Sequence, residues 1–503
     1  EIIIFPTYIV IGWDFFYMFV SKFRIMILWG LLDSVFSTVV SMLFLLTIIF
    51  MIVLIIMDNR NPYKTLAWVL VLVFLPVIGL IAYFFFGRDT RKERLISKKG
   101  FARLAKYPMM EFQLQESFQI SKEQHQLMHF FLRVNRSLPF GGNSIEVHTD
   151  AYAMLKALLG CIASAKNHIH MQFYIFENDA VGRLVRDALI EKAKEGIEVR
   201  VLYDDVGCWK VPHHFYDEMR EGGMEVRSFL KVRFPGFTSK VNYRNHRKMV
   251  IIDGRVGFVG GMNLAERYVK GVLWGNWRDT MMQVEGKAVY GLQTAFLTDW
   301  YATDHSMITS SRYYPEMEGV GSSLMQIVTS DPIGEWHDVM QGLMIAITSA
   351  KEYFYVQSPY LLPTEPILLA LKTAALAGVD VRIMIPEKSD TRWVHWGTMS
   401  YLEELMRSGV KIYRYTKGFL HAKMIVSDDS LSSIGSTNMD FRSFEHNFEV
   451  NAFMYDSASA LKLKEVFLSD QKDAELLHLK SWSLRPWYQK VMESVIRLFA
   501  PLL

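Results

Sequence analysis

Two stretches of this chain carry one polar pattern in one register, and that duplication limits the fold more than any other feature. The first runs from Asn242 to Asn263, NYRNHRKMVIIDGRVGFVGGMN, and the second from Leu420 to Asn438, LHAKMIVSDDSLSSIGSTN. His246 is followed by Lys248 at +2, Asp253 at +7, Gly260 at +14 and Asn263 at +17. His421 is followed by Lys423, Asp428, Gly435 and Asn438 at the same four offsets. A single histidine is ordinarily a satisfied core or surface residue; two copies agreeing at five positions are a constellation.

The spacing dictates local geometry. Residues two apart on an extended chain face the same side, so each copy sets an imidazole beside an ammonium at one strand. Met249–Ile252 and Met424–Val426 supply a buried strand, and Asp-Gly or Asp-Asp then marks a turn. Two such copies brought together make a pocket of two histidines and two lysines with an asparagine pair nearby. That pocket suits an anionic oxygen cluster such as a phosphate. Two imidazoles can divide the work, one attacking phosphorus and the other protonating the leaving oxygen.

These residues resemble the paired HKD motifs of the phospholipase D superfamily, HxKxxxxD followed by GGMN in one copy and GSTN in the other. The resemblance implies two similar lobes sharing one site, a covalent phosphohistidine, and no metal or other cofactor. It makes His246 the nucleophile and His421 the general acid and then base, with Lys248, Lys423, Asn263 and Asn438 on the phosphoryl oxygens. Asp253 and Asp428 belong to the motif, but five residues beyond the lysines they are placed to orient the strand and its turn. The acidic position that follows each asparagine in the family is filled by Asp279 (WRD) and Glu449 (NFE), each suited to a histidine's far nitrogen.

The repeat extends past the histidines. SAKNHIHMQFYIF (164–176) aligns with SAKEYFYVQSPYL (349–361), Gln172 against Gln357, and EGIEVRVLYDD (195–205) with AGVDVRIMIPE (377–387). Each half reads helix, strand, helix, strand, then the motif strand, which predicts an α/β fold of parallel or mixed sheets covered by helices. We divide the chain into a first lobe at 143–315 and a second at 316–480, preceded by a connector at 88–142 that is expected to follow a membrane surface. Tyr174 and Tyr360 end equivalent strands and are expected to line the pocket. His168 and His170 are expected in packing, His213 and His214 in a solvated loop, and His446 outside the catalytic set. Two cysteines, Cys161 and Cys208, in a chain facing the cytosol argue against a disulfide.

The front of the chain is of another character. The 503 residues are 51% hydrophobic with 34 Phe, and the mean hydropathy is +0.13. The excess is concentrated in residues 36–57 and 65–86, each 22 residues without a charge. Crossing a bilayer takes about 20 apolar residues, so 33–87 reads as a transmembrane hairpin. Its loop carries Arg60 and Lys64, whereas Arg88, Arg91, Lys92, Arg94, Lys98 and Lys99 follow the second stretch, which puts the lobes on the cytoplasmic side. Residues 1–32 read as an interfacial or membrane-embedded segment. In the tail, 481–503, Trp487, Val491, Val495, Leu498 and Phe499 share one helical face and Gln489, Lys490, Glu493 and Arg497 the other. Such a helix suits a membrane surface or the protein body equally.

A hairpin with NRNPYKTLAWVLVLVFLPVIGLIAYFFFGR, two HKD lobes and a terminal RLFAPLL is similar to bacterial cardiolipin synthases over nearly the whole chain. The resemblance implies a multi-pass bacterial cell-membrane enzyme that transfers a phosphatidyl group from one phosphatidylglycerol to another, releasing glycerol. Phosphatidylglycerol and anionic membrane lipid are then the partners, and a homodimer is compatible. A net charge of only +3 gives no broad footprint for nucleic acid. A membrane-bound phospholipase D, a membrane-tethered nuclease and a non-enzymatic scaffold are the other classes such a chain allows; intact His, Lys and Asn in both copies argue against the last.

Overall fold

The computed structural model describes residues 35–57, 62–83, 97–106, 108, 110, 118–232 and 243–500, in two compact units, Glu1–Asp89 and Thr90–Leu503. The expectation for residues 1–32 lies outside the described residues, as do 84–86 at the end of the second apolar stretch and the last three residues of the tail.

In the first unit, Val35–Met57 is one 23-residue helix without a charge. The second apolar stretch is not a single helix: Pro62–Phe74 stops and Pro76–Ala82 starts anew, because Pro76 has no N–H to donate and its ring disfavours a helical Leu75 (φ −133°, ψ 62°). Ile55, Leu72 and Tyr83 form a small core, with Trp68 edge-on to Tyr83 at 5.3 Å, while Leu46, Phe50, Leu70 and Phe74 stay exposed. Over its described residues, which in the first helix have described side chains only from Met42, no helix is long and apolar enough to cross a membrane.

The second unit is built on one continuous sixteen-stranded mixed sheet. From one edge it runs Glu225–Phe229, Glu198–Asp204, His168–Phe173, Met249–Ile252, Val256–Gly260, Met281–Glu285 and Pro139–His148. It then continues through Ser323–Ser330, Asn447–Met454, Leu431–Gly435, Met424–Ser427, Tyr353–Gln357, Asp380–Pro386, Lys411–Tyr415 and Ala474–Leu476, and the sixteenth strand, Arg244–Asn245, branches off Asn447–Met454. Apart from the extra edge strand Ala474–Leu476, the second half repeats the first in reverse order about the antiparallel pair Pro139–His148 and Ser323–Ser330. The internal repeat is therefore a pseudo-twofold in one sheet. Each half has one more helix and parallel strand than the sequence pattern suggested: His213–Glu221 with Glu225–Phe229, and Arg392–Arg407 with Lys411–Tyr415. His213 and His214 thus open a helix rather than sit in a loop, though both remain exposed.

The parallel strands are joined by helices because a parallel connection must cross back over the sheet. Side chains fix where those helices begin. Asp150 caps the helix Ala151–Ser164 by accepting from Ala153 N–H (2.8 Å), and Asp179 caps Ala180–Lys194 through Gly182 N–H (2.9 Å). Part of the expected surface connector is core instead. Ser121 and Gln124 form a capping box that starts the helix Lys122–Val134, whose Leu127, Met128 and Phe131 are buried among second-lobe residues such as Val339 and Leu343. Cys161 and Cys208 are free thiols, and His168 and His170 are buried packing residues bridged by Gln293.

Candidate active site

The motif aspartates explain why the copies fold locally as they do. Asp253 and Asp428 begin three-residue hairpin turns with φ of 54° and 50°, a left-handed conformation that Asp tolerates better than most side chains. The Asp253 carboxylate accepts from the backbone N–H groups of Lys166 (2.8 Å), Asn167 (2.7 Å) and His168 (2.9 Å). Asp428 does the same for Lys351 (2.8 Å), Glu352 (3.0 Å) and Tyr353 (2.9 Å). Each ties its hairpin to the strand that the motif strand pairs with, at the end of the strand away from the histidine. Asp428→Ala removes one acceptor from three backbone donors, partly open to water, so we expect a loss of about 2 kcal/mol in stability. A lowered thermal midpoint with near-normal activity at low temperature checks this; unchanged melting contradicts the anchoring role.

His246 and Lys248, like His421 and Lys423, lie in the irregular residues just ahead of Met249–Ile252 and Met424–Ser427 and not within the strands. What holds them is the opposite half. Arg244–Asn245 pairs in parallel with Asn447–Phe448, and His246 N–H donates to Phe448 C=O (2.9 Å). Gly418–Leu420 pairs with Asn276–Arg278, and His421 N–H donates to Arg278 C=O (2.6 Å). The side chains cross in the same way. His246 Nδ1 lies 3.0 and 3.1 Å from the two Glu449 oxygens, and His421 Nδ1 lies 2.6 Å from Asp279 Oδ2. Each acid therefore orients the histidine of the other half, through Nδ1–H, which leaves Nε2 of both rings for substrate.

The charges converge on one buried spot. Lys248 and Lys423 are fully buried, each ammonium donating to the carbonyl of its own motif histidine (2.5 Å for Lys248), and Lys423 Nζ also lies 2.8 Å from His421 Nδ1. Burial outweighs the neighbouring carboxylates and lowers both histidines, His246 to about 4 and His421 to about 3. Burial also pushes Lys248 well below the usual ammonium range and Lys423 to about 8. Asp279 and Glu449 stay ionised because Lys423 and His421 face the first and His246 and Lys248 the second, overcoming their own burial. At neutral pH the resting pocket holds two carboxylates, the Lys423 ammonium and two neutral imidazoles, with Lys248 the more easily deprotonated of the two lysines for its burial. The lysine sign is explicit: Lys423 keeps its proton below about pH 8 and loses it above. We expect kcat/KM to fall above about pH 8 and Lys423→Arg to flatten that limb at a lower rate. An alkaline limb unchanged in Lys423→Arg rules out this lysine as its source.

The asparagines differ from each other. Asn263 is engaged at both ends of its amide, accepting from Ile175 N–H (3.1 Å) and donating to Tyr268 Oη (2.6 Å). Asn438 Oδ1 is buried with no hydrogen-bond partner among the described residues. Tyr174 stands edge-on to His246 at 5.0 Å, with Lys248 Nζ 5.3 Å from its ring centre, and Tyr360 lies 6.5 Å from His421. His421 is further enclosed by Tyr268, Trp277 and Phe419 at 5.9, 5.4 and 5.6 Å.

Several supporting residues escaped the sequence reading. Arg247, between the first His and Lys, donates to Asp299 Oδ1 (2.5 Å), Glu449 C=O (3.0 Å) and Ser330 C=O (3.2 Å). Arg278 does the matching work in the other half through Asp470 (2.7 and 3.0 Å). The paired Gln172 and Gln357 donate to these same aspartates (2.6 and 2.8 Å). The signal was present in the repeat, as FLTD at 296–299 against FLSD at 467–470. Ser436, whose hydroxyl donates to Glu449, stands where the first copy has Gly261; a Cβ there would come within 2.1 Å of Asp279 Oδ1.

A model of the family described as cardiolipin synthase, phospholipase D-like domain, matches residues 158–300 and 343–471. The chain belongs to that family. A second, described as phospholipase D-nuclease N-terminal, matches residues 45–88. The major cardiolipin synthase of Bacillus subtilis is 39% identical across 93% of this chain and 100% of its own length. A cardiolipin synthase of Alkalihalophilus pseudofirmus is 39% identical across 94% of this chain and 96% of its own. Among solved structures, phosphatidylserine synthase of Haemophilus influenzae aligns with a TM-score of 0.56 at 14% identity, over 75% of this chain and 98% of that one, which shows a shared fold.

Proposed function

We propose that this chain is a cardiolipin synthase that moves a phosphatidyl group between two phosphatidylglycerol molecules through a phosphohistidine. The observation that carries the reading is the crossed pairing of His246 with Glu449 and His421 with Asp279, which occupies Nδ1 of each ring and leaves its Nε2 for chemistry. His246 Nε2 attacks phosphorus and the P–O bond to the headgroup glycerol breaks. His421, protonated once the phosphodiester anion is beside it, gives its Nε2 proton to the departing oxygen. The headgroup hydroxyl of a second phosphatidylglycerol then loses its proton to His421 and attacks, forming cardiolipin and freeing His246. Lys248 and Lys423 offset the charge that grows on the non-bridging oxygens, with the side-chain NH₂ groups of Asn438 and Asn263 as donors to them. Water must be kept out, because its attack yields phosphatidic acid.

The apolar stretches 36–57 and 65–86 are read as the bilayer-crossing pair, with the lobes on the cytoplasmic side by their flanking positive charge. The test uses purified protein with labelled phosphatidylglycerol as the sole lipid. Cardiolipin and glycerol in equal amounts are expected; phosphatidic acid alone makes water the acceptor and the enzyme a phospholipase D.

A further inference from the structure

The tail turns Glu493 and Arg497 inward. If the apolar row faced the protein, Glu493 and Arg497 would lie in water. In the structure Glu493 is 2% exposed and is held by Arg485. Ile496 and Ala500 are buried, Ile496 against Gly397 of the helix Arg392–Arg407. Arg497 reaches inward to Glu404 (2.6 Å) and Ser400 C=O (3.3 Å), its guanidinium 4.1 Å from the Tyr401 ring centre. The helix Trp487–Arg497 is therefore fastened by charge and by small contacts on its inner side.

Its outer side is left apolar. Trp487 is 76% and Leu498 78% exposed, and Tyr488, Val491, Val495 and Phe499 are exposed with them. Trp393, edge-on to Trp396 at 5.7 Å, is a further exposed tryptophan on Arg392–Arg407, the helix against which the tail packs. Three residues before Trp393, Asp390 accepts from the Tyr360 hydroxyl (2.9 Å), and Tyr360 flanks His421. The helix that supports the tail is thus tied at its start to the His421 side of the site. Six exposed apolar side chains gathered on one side of a single helix mark a docking surface. Arg485 and Arg497 are taken up by Glu493 and Glu404, which leaves Lys480 and Lys490 as the unopposed charges between Leu479 and Ala500, both positive. Two copies of such a tail repel each other across a twofold, whereas an anionic lipid surface attracts it.

We propose that the outer face of Trp487–Arg497 docks on the anionic surface of a lipid bilayer. The helix lies in the headgroup plane with Trp487 and Tyr488 at interfacial depth, and the His421 side of the pocket is turned toward the lipid. The consequence for catalysis rests on the reading that the substrate is a membrane phospholipid.

The full chain, reconstituted into phosphatidylglycerol–phosphatidylcholine vesicles with brominated acyl chains, tests the docking itself. Part of the tryptophan emission should be quenched, and that part should shrink in Trp487→Phe while the share from Trp68 in the apolar stretch 65–86 remains; identical quenching in both proteins overturns the proposal. A Val495→Glu, Leu498→Glu double variant, both sites exposed, should melt like the parent and make cardiolipin on bilayers at least tenfold more slowly. Its rate on short-chain phosphatidylglycerol below the micelle concentration should stay within twofold of the parent. Equal bilayer rates overturn the proposal, as does a dimer that the double variant dissociates while bromolipid quenching is absent. If the parent forms no cardiolipin from either substrate, the transferase reading fails, and quenching alone still decides the docking.

Discussion

His246→Ala and His421→Ala are each expected to reduce cardiolipin formation by at least about 10⁴-fold, the scale on which removing one member of a concerted catalytic set acts. The two losses have different causes, and this makes them separable. Without His246 there is no atom to accept the phosphatidyl group. Without His421 the nucleophile remains, held by Glu449 at 3.0 Å, but the departing glycerol oxygen has no proton donor. A donor lipid with a nitrophenolate leaving group needs no protonation, so it should still load His421→Ala and leave acid-labile phosphatidyl label on His246. The same donor should leave none on His246→Ala. Label in His246→Ala and not in His421→Ala reverses the two roles; full activity in either variant removes that histidine from the mechanism. Both side chains are nearly buried, so a matched melting curve is part of the measurement.

The duplicated motif was legible because its offsets record strand geometry, which is local. The aspartates followed for the same reason: a residue opening a tight turn can be placed from its neighbours. The crossed pairing was not legible. Asp279 and Glu449 stand out as acids at equivalent positions, yet which histidine each one meets depends on how two distant segments pack about the pseudo-twofold. The Arg247–Asp299 and Arg278–Asp470 pairs were hidden for a related reason, since the arginines come from non-equivalent positions although the aspartates repeat as FLTD and FLSD. Helix Lys122–Val134 looked like a connector because its apolar residues fill the core of a lobe that begins nearly two hundred residues later. The tail was left undecided between two faces. Amphipathicity says that two faces differ, but not which one faces protein, and a buried Arg485–Glu493 pair can reverse the usual choice.

The crossed acids lead to the second large effect. Glu449→Gln keeps the size of the side chain and its place on the strand Asn447–Met454, but replaces an acceptor-only carboxylate by an amide. The glutamine can turn its NH₂ toward His246 Nδ1, which then accepts, and the proton moves to Nε2, the atom that must attack phosphorus. An imidazole in that tautomer is no nucleophile, and the phosphohistidine loses the negative partner that steadies it. We expect kcat to fall by about 10³- to 10⁴-fold with KM little changed, the size found when a histidine's orienting carboxylate becomes an amide. Asp279→Asn should act on the other half-site. It leaves His246 intact but weakens His421 as the proton carrier, so the nitrophenolate donor should still load the enzyme at close to the parent rate while cardiolipin release stalls. The opposite assignment follows from a pairing within each half, in which Asp279→Asn blocks loading and Glu449→Gln spares it. Burst-phase loading measured on the two variants decides between crossed and uncrossed pairing: a burst kept in Asp279→Asn and lost in Glu449→Gln is the crossed result, and the reverse overturns it.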